Sequence, residues 1–244
     1  MPIRRSTAPE DVLVDLACTG LALVEAVPDP ASMLALTRRL GAVVVPHRDS
    51  RPDGVTVIED RGARAAALAG FTRSSLFPHT DRSGTPDPPG LLFTVCGREP
   101  TSGGESVLVD SQAVYRDLAE SDPPALAALS APRSAMFGGA DGHLTSVFTV
   151  TGGVVSVRFR LDALARFGPR AEPYVPALRA AIARHAWTVP ARAATGYVLD
   201  NRRWLHGRRA YTGPRLVYRI TANATRPGMI IGGFPERPDR LAAS

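Results

Sequence analysis

Apolar residues in this chain come mostly in short runs without a helical period, and turn-forming residues separate them. Val43-Val44-Val45 reads as a short buried strand, and strands follow at 55–58, 91–96, 105–109, 135–137, 144–150, 154–159, 196–199 and 216–222. Thr151-Gly152-Gly153 supplies the hairpin turn between the 144–150 and 154–159 strands, and Thr101-Ser102-Gly103-Gly104 supplies another turn. Helical spacing shows in fewer places. Asp29-Pro30 opens a helix in which Met33, Leu34, Leu36 and Leu40 share a face, and Gly41 stops it. Asp110-Ser111 caps a helix carrying Val114 and Leu118; Asp122-Pro123-Pro124 starts a further one through Leu129, and 175–185 forms another. Residues 59–75 have no firm period, and Pro86, Pro88 and Pro89 make 82–90 irregular.

Many short strands with interspersed helices predict an α+β protein around an antiparallel barrel or jelly roll. There is no repeat, low-complexity tract or linker, so 1–244 is expected to form one domain.

Composition narrows the partners. The net charge is +6 and every basic residue is Arg, with no Lys. Those Arg residues are scattered among acids instead of forming a stripe, which argues against a nucleic-acid surface. Cys18 and Cys96 lie far apart without a CxxC, so neither a disulfide framework nor a thiolate zinc site is expected. Glu10, Asp11 and Asp15 interrupt the apolar N-terminal stretch, which excludes a signal peptide. No run is long enough to cross a membrane. A cytoplasmic protein is expected, acting on a small molecule without a nucleic-acid or membrane partner; its oligomeric state is open.

The chemistry concentrates in Phe77-Pro78-His79-Thr80-Asp81 and in 199–208, Leu-Asp-Asn-Arg-Arg-Trp-Leu-His-Gly-Arg. In extended chain, residues i and i+2 project together, so His79 and Asp81 share a face. His206, placed at a strand end after 196–199, adds a second imidazole. Two imidazoles and one carboxylate suit Fe(II) and leave coordination positions for substrate chemistry. An Arg-bearing strand with Arg215 and Arg219 follows at the distance of one hairpin return.

From Phe77 to Ile220 the chain resembles the Fe(II)/2-oxoglutarate-dependent dioxygenases of the taurine dioxygenase-like and clavaminate synthase-like superfamily. His79 and Asp81 match that family's His-x-acid pair. Gly103-Gly104-Glu105-Ser106 matches its Gly-Gly-acid-Thr stretch, with Ser for Thr. Asp200-Asn201 through His206-Gly207-Arg208 matches the segment with the distal metal histidine, and Arg215-Leu216-Val217-Tyr218-Arg219 its closing strand. The resemblance implies a double-stranded β-helix (jelly-roll, cupin-like) core with flanking helices. It implies Fe(II) on His79, Asp81 and His206, with 2-oxoglutarate and dioxygen as co-substrates. Arg215 would hold the far carboxylate of 2-oxoglutarate in a planar fork and Ser106 would donate a further hydrogen bond.

The expected activity is hydroxylation of an unactivated C–H in a small polar, amino-acid-derived metabolite of specialised biosynthesis, with release of succinate and CO2. Desaturation, epoxidation or cyclisation with the same cofactors is the alternative; an enzyme with the same ligands that does not use 2-oxoglutarate would have no use for Arg215. Asp81 argues against halogenation, because related halogenases carry a small residue there. Arg219 lies on the face of Arg215, as either a clamp for an anionic substrate group or a structural ion pair.

Other polar residues read as ordinary. His47 is a loop residue whose loop could border the pocket, His143 lies in a glycine-rich stretch, and His185 ends a helix, where a cation suits the terminus. Arg158 and Arg160 line a solvated sheet face, and Trp204 serves packing. The 59–75, 82–90 and 137–144 segments are expected to face the substrate.

Overall fold

The structure is a computed structural model and describes residues 5–6, 8–62 and 69–237. Two sheets face each other. The larger has seven strands, in the order Arg5–Ser6, Leu21–Val24, Gly196–Asp200, Leu91–Arg98, Leu216–Ala224 and Ala42–Val44, with Thr56–Ile58 also pairing on Leu216–Ala224. The smaller has four: Ala186–Val189, Ser106–Asp110, Trp204–Arg208 and Leu76–His79. All pairings within both sheets are antiparallel except that of the first two strands. This is the jelly-roll arrangement that the short strands predict and the cupin-like core that the resemblance implies.

The alternation of side chains sorts each strand into an inner and an outer face. Leu92, Tyr197 and Leu199 of the larger sheet meet Leu108 and Trp204 of the smaller in one buried cluster between the sheets. Helices α1 (Pro9–Thr19) and α2 (Pro30–Arg39) cover the back of the larger sheet, packing Val12, Leu16 and Met33 on Phe93, Val95 and Ile220. Helices α3 (Ser111–Ser121), α4 (Pro123–Ser130) and α5 (Val175–Arg184) close the back of the smaller sheet, where Val114, Leu118, Leu129 and Leu178 join Val109 and Leu205. Because Leu205 packs outward on these helices, His206 and Trp204 point inward.

Local signals mark most helix starts. The Asp29, Asp110 and Asp122 side chains accept from the amides of Ser32, Gln112 and Ala125. The hairpin between Phe148–Thr151 and Val154–Val157 turns through Gly152 and Gly153, both at positive φ (59° and 81°), as a two-residue turn of the right twist requires.

Several expectations need correction. The 144–150 run is two strands, His143–Thr145 and Phe148–Thr151, in different small sheets. The Val43 strand sits at a sheet edge with Val43 58% exposed, so it is not a buried strand. Helix α1 and the strands Leu21–Val24 and Ala186–Val189 were not anticipated. In the 59–75 segment, residues 63–68 lie outside the described residues, and Ala69–Phe71 forms a single 3-10 turn. Among the described residues no helix is long and apolar enough to cross a membrane.

Candidate active site

The smaller sheet brings the two histidines together. Trp204–Arg208 runs between Ser106–Asp110 and Leu76–His79, and His206 is the register partner of His79. Their ring centroids are 4.4 Å apart. His79 ends its strand as expected, but His206 is the middle residue of its own, not at a strand end. The strand that follows it with Arg219 does not return as a hairpin. It crosses to the larger sheet, and the short Tyr211–Thr212 segment pairs with Ser102–Gly103 on the way.

Asp81 stands just beyond the His79 strand, 6% exposed. One carboxylate oxygen, Oδ1, accepts the Arg82 amide at 3.0 Å. The other, Oδ2, lies 3.2 Å from Arg219 Nη1. That approach is close enough for an ion pair but not aligned as a hydrogen bond, so Asp81 Oδ2 remains without a hydrogen-bond partner. The structure therefore places Arg219 in the ion-pair geometry.

Electrostatics keep the three groups in the states a metal requires. Burial lowers the pKa of His79, and burial together with its neighbour His79 lowers that of His206 well below the usual imidazole value. Both rings are therefore neutral near pH 7. Burial alone would raise Asp81, but Arg219 and the two imidazoles outweigh it and hold the carboxyl at about 2. His79 Nδ1 lies 3.0 Å from the Phe77 carbonyl, which fixes that nitrogen as the donor and leaves the Nε2 lone pair free. His206 Nδ1 is buried with no protein partner.

Among the described residues, no three His, Cys, Asp or Glu side chains are arranged to hold a metal ion as they stand. His79 and His206 are adjacent, Asp81 acts on the titration of both, and its Oδ2 lies against Arg219. The unpartnered buried Oδ2 of Asp81 fits a divalent cation, as does the two-imidazole, one-carboxylate donor set.

A narrow cavity between the sheets is lined by Thr94, Cys96, Ser106, Tyr197, Arg215 and Val217. Tyr218, Ile220 and Ala222 pack toward α1 and α2, so Val217 and Arg219 turn inward on the same strand. Arg215, just before it, is 7% exposed and its Nε has no hydrogen-bond partner. No carboxylate within ion-pair distance faces it among the described residues; its nearest aromatic neighbour is the Tyr211 ring, 5.4 Å away. Burial lowers its pKa. A buried guanidinium without a counter-ion is costly, so an anionic group brought to it would be held. Gly104 permits this placement: at φ +76° it brings its backbone so near that a Cβ would stand 3.1 Å from Arg215 Cδ.

Other residues bear on the site; of these, sequence spacing assigned Tyr197 no role and Asn201 none beyond its place in the distal-histidine segment. Tyr197 is buried, shares the cavity with Ser106 and Arg215, and has a phenol pushed up by burial. Its place in an apolar strand gave no signal. Asn201 is 1% exposed and bonded to Asp81 across 120 residues. His47 lies near Arg219 and Asp81, both of which act on its titration, so its loop borders the site; its Nδ1 accepts the Asp49 amide at 3.2 Å.

Arg158 is not on a solvated face. Its guanidinium donates to the carbonyls of Ser83, Thr85 and Pro86 and so ties down the 82–90 segment. That segment touches the 137–144 segment at Gly84 and Gly138. His185 bonds Asp117 at 2.8 Å, linking α5 to α3, far from any catalytic use. Trp204 donates to the Thr19 carbonyl and packs edge-on against Trp187.

The family model described as "Taurine catabolism dioxygenase TauD, TfdA family" matches residues 6–221. No curated protein sequence matches. Among solved structures, the fold is similar to an asparagine oxygenase in complex with Fe(II), 2S,3S-3-hydroxyasparagine and succinate. The TM-score is 0.74 at 16% identity, covering 93% of this chain and 83% of that one. It is also similar to the non-heme iron oxygenase OrfP in complex with Fe and alpha-ketoglutaric acid. There the TM-score is 0.68 at 16% identity, covering 89% of this chain and 79% of that one.

Proposed function

Since this chain belongs to the taurine catabolism dioxygenase TauD, TfdA family, we propose that it is an Fe(II)- and 2-oxoglutarate-dependent dioxygenase that hydroxylates an unactivated C–H of a small, polar, amino-acid-derived metabolite. The observation that carries this reading is the pairing of two sites between the sheets. One is the neutral His79 and His206 beside ionised Asp81; the other is the buried, acid-free Arg215 with Ser106. The first matches what a ferrous ion needs, the second what a dicarboxylate's far end needs.

In this reading His79, Asp81 and His206 hold the iron. Fe(II) with 2-oxoglutarate and dioxygen supplies the oxidation: the co-substrate leaves as succinate and CO2, and one oxygen atom enters the substrate C–H. The protein's part is placement and exclusion of water. The Phe77 carbonyl keeps the proton on His79 Nδ1, so that Nε2 presents its lone pair. Arg215 binds the far carboxylate of 2-oxoglutarate, Ser106 donates a hydrogen bond to it, and the aliphatic and aromatic walls of the cavity keep that pair dry. Asp81 occupies the position where a small residue would leave room for a halide. Arg219 has a dual role: it holds Asp81 as an anion, and its unpartnered Nε offers a contact for an anionic group of the substrate.

Amino-acid chemistry is supported by the similar folds of the oxygenases solved with hydroxyasparagine and with (3S)-hydroxy-L-Arg. We take the chain as one domain acting in the cytoplasm on a small molecule, without nucleic acid or membrane as a partner. The free cysteines, Cys18 exposed and Cys96 buried, fit a reducing compartment.

The decisive experiment is a succinate-release screen of the iron-loaded protein against amino acids and their derivatives, with mass spectrometry of the products. A product heavier by one oxygen atom, formed in step with succinate, is expected. Succinate-free turnover, or none with any 2-oxoglutarate-containing mixture, would overturn the reading.

A further inference from the structure

The Asp200-Asn201 pair precedes the distal histidine in sequence, yet neither the metal nor the co-substrate reading gives Asn201 a task. Its side chain is fully engaged. The side-chain oxygen accepts the Asp81 amide at 2.8 Å, and the side-chain nitrogen donates to the Asp81 carbonyl at 3.0 Å and to the Pro89 carbonyl at 2.9 Å. The Asn201 backbone amide donates to the Gly90 carbonyl at 2.9 Å. One amide side chain thus binds both the N–H and the C=O of Asp81, as the neighbouring strand of a sheet would. Asp81 itself lies outside any strand.

Such a grip is needed because the chain beside Asp81 is under strain. Arg82 adopts φ +54°, a left-handed conformation that is unfavourable for an L-residue with a Cβ. That turn carries the chain away sharply while Asp81 Oδ2 stays 3.2 Å from Arg219 Nη1. On the other side, Thr80 is pinned by its amide to the Phe159 carbonyl at 2.8 Å. Without a partner for its peptide groups, Asp81 would be free to relax with Arg82 into an ordinary conformation and swing its carboxylate aside.

We propose that Asn201 is a positioning residue for the metal site: its two-point bond to the Asp81 backbone sets the direction of the Asp81 carboxylate. Asn201 also stands in the turn that leads into Trp204–Arg208, so the same short segment delivers His206 and orients Asp81. The inference rests on the metal-site reading above and adds a residue to it.

The test is titration of the metal-free protein with Co(II), read by calorimetry and visible absorption, in the wild type, Asn201→Ala and Asn201→Ser. Asn223→Ala is the control, since the Asn223 side-chain oxygen accepts the Gly90 amide at 2.9 Å in the same loop but touches no proposed ligand. Loss of a partner that orients a ligand weakens metal affinity about 10- to 100-fold, and that loss is expected for Asn201→Ala. Asn201→Ser keeps one short polar group that can serve one of the two Asp81 backbone groups, so it should fall between Asn201→Ala and wild type and serves if the alanine variant does not fold. Asn223→Ala should lower thermal stability with wild-type Co(II) affinity. Binding of glutarate, a far-carboxylate probe, by the metal-free protein should be the same in all four. Wild-type affinity in both Asn201 variants, or equal weakening in Asn223→Ala, overturns the positioning role. A wild type that takes up no Co(II) overturns the metal-site reading and this role with it.

Discussion

His79 and His206 face each other as register partners on adjacent antiparallel strands, with ring centroids 4.4 Å apart. Neutral rings so close, beside an ionised carboxylate, form a set of electron-pair donors with only weak attraction for one another. Replacing either ring with Ala should therefore abolish Fe(II) or Co(II) uptake and leave the circular dichroism spectrum of the fold intact. Retained metal binding in His79→Ala or His206→Ala would remove that residue from the ligand set.

Arg215 is a buried cation with no carboxylate in ion-pair distance among the described residues. Arg215→Ala should leave the anionic end of 2-oxoglutarate unpaired. Breaking a buried pair of this kind costs about 3–5 kcal/mol, which corresponds to about two to four orders of magnitude in affinity. The measurement is the dissociation constant of 2-oxoglutarate; an unchanged value would show that the co-substrate lies elsewhere.

Tyr197 shares that cavity, and its hydroxyl is the only part Tyr197→Phe removes. A hydrogen bond to a charged group contributes about 1.5–3 kcal/mol, so the KM for 2-oxoglutarate should rise about tenfold to a hundredfold with little change in kcat. A fall in kcat alone, at constant KM, would assign the phenol to packing.

Arg219 sits 3.2 Å from Asp81 with its Nε unpartnered. In Arg219→Gln, glutarate binding by the metal-free protein should match wild type. Succinate release should persist but lose its coupling to product, because the primary substrate is no longer gripped. Fully coupled turnover at wild-type KM for that substrate would confine Arg219 to the ion pair.

Acid should loosen the back of the smaller sheet. Asp117 joins α3 to α5 through Arg184 and His185, and those hydrogen bonds, that from Arg184 foremost, lower its carboxyl from 3.8 to about 2. A lowered carboxyl contributes stability above its unfolded pKa and loses it as pH falls through the folded value. Asp117→Asn should therefore melt earlier than wild type at pH 7, and the difference should vanish between about pH 4 and pH 2. A constant difference across that range would contradict the linkage.

Much of this protein is local and so was legible along the chain. The caps at Asp29, Asp110 and Asp122, the Gly152-Gly153 hairpin and the placement of His79 at a strand end each depend on a few neighbouring residues. The 144–150 run misled because a continuous apolar pattern does not show where a strand leaves one sheet for another. Arg158 misled because alternation with Val157 and Phe159 assigns it a face but not what covers that face; here the carbonyls of 82–90 do.

By itself, the sequence determined the residue types the chemistry draws on: a His-x-Asp pair, a second histidine, two Arg residues of even spacing and a set of short strands to carry them. Only the tertiary structure decided that Trp204–Arg208 lies beside Leu76–His79, that Asp81 leans on Arg219 and that Asn201 grips it from 120 residues away. The physical reason is range. Backbone conformation and capping are settled by adjacent side chains, whereas strand pairing and the partner of a buried charge are settled by which distant apolar faces close together and exclude water.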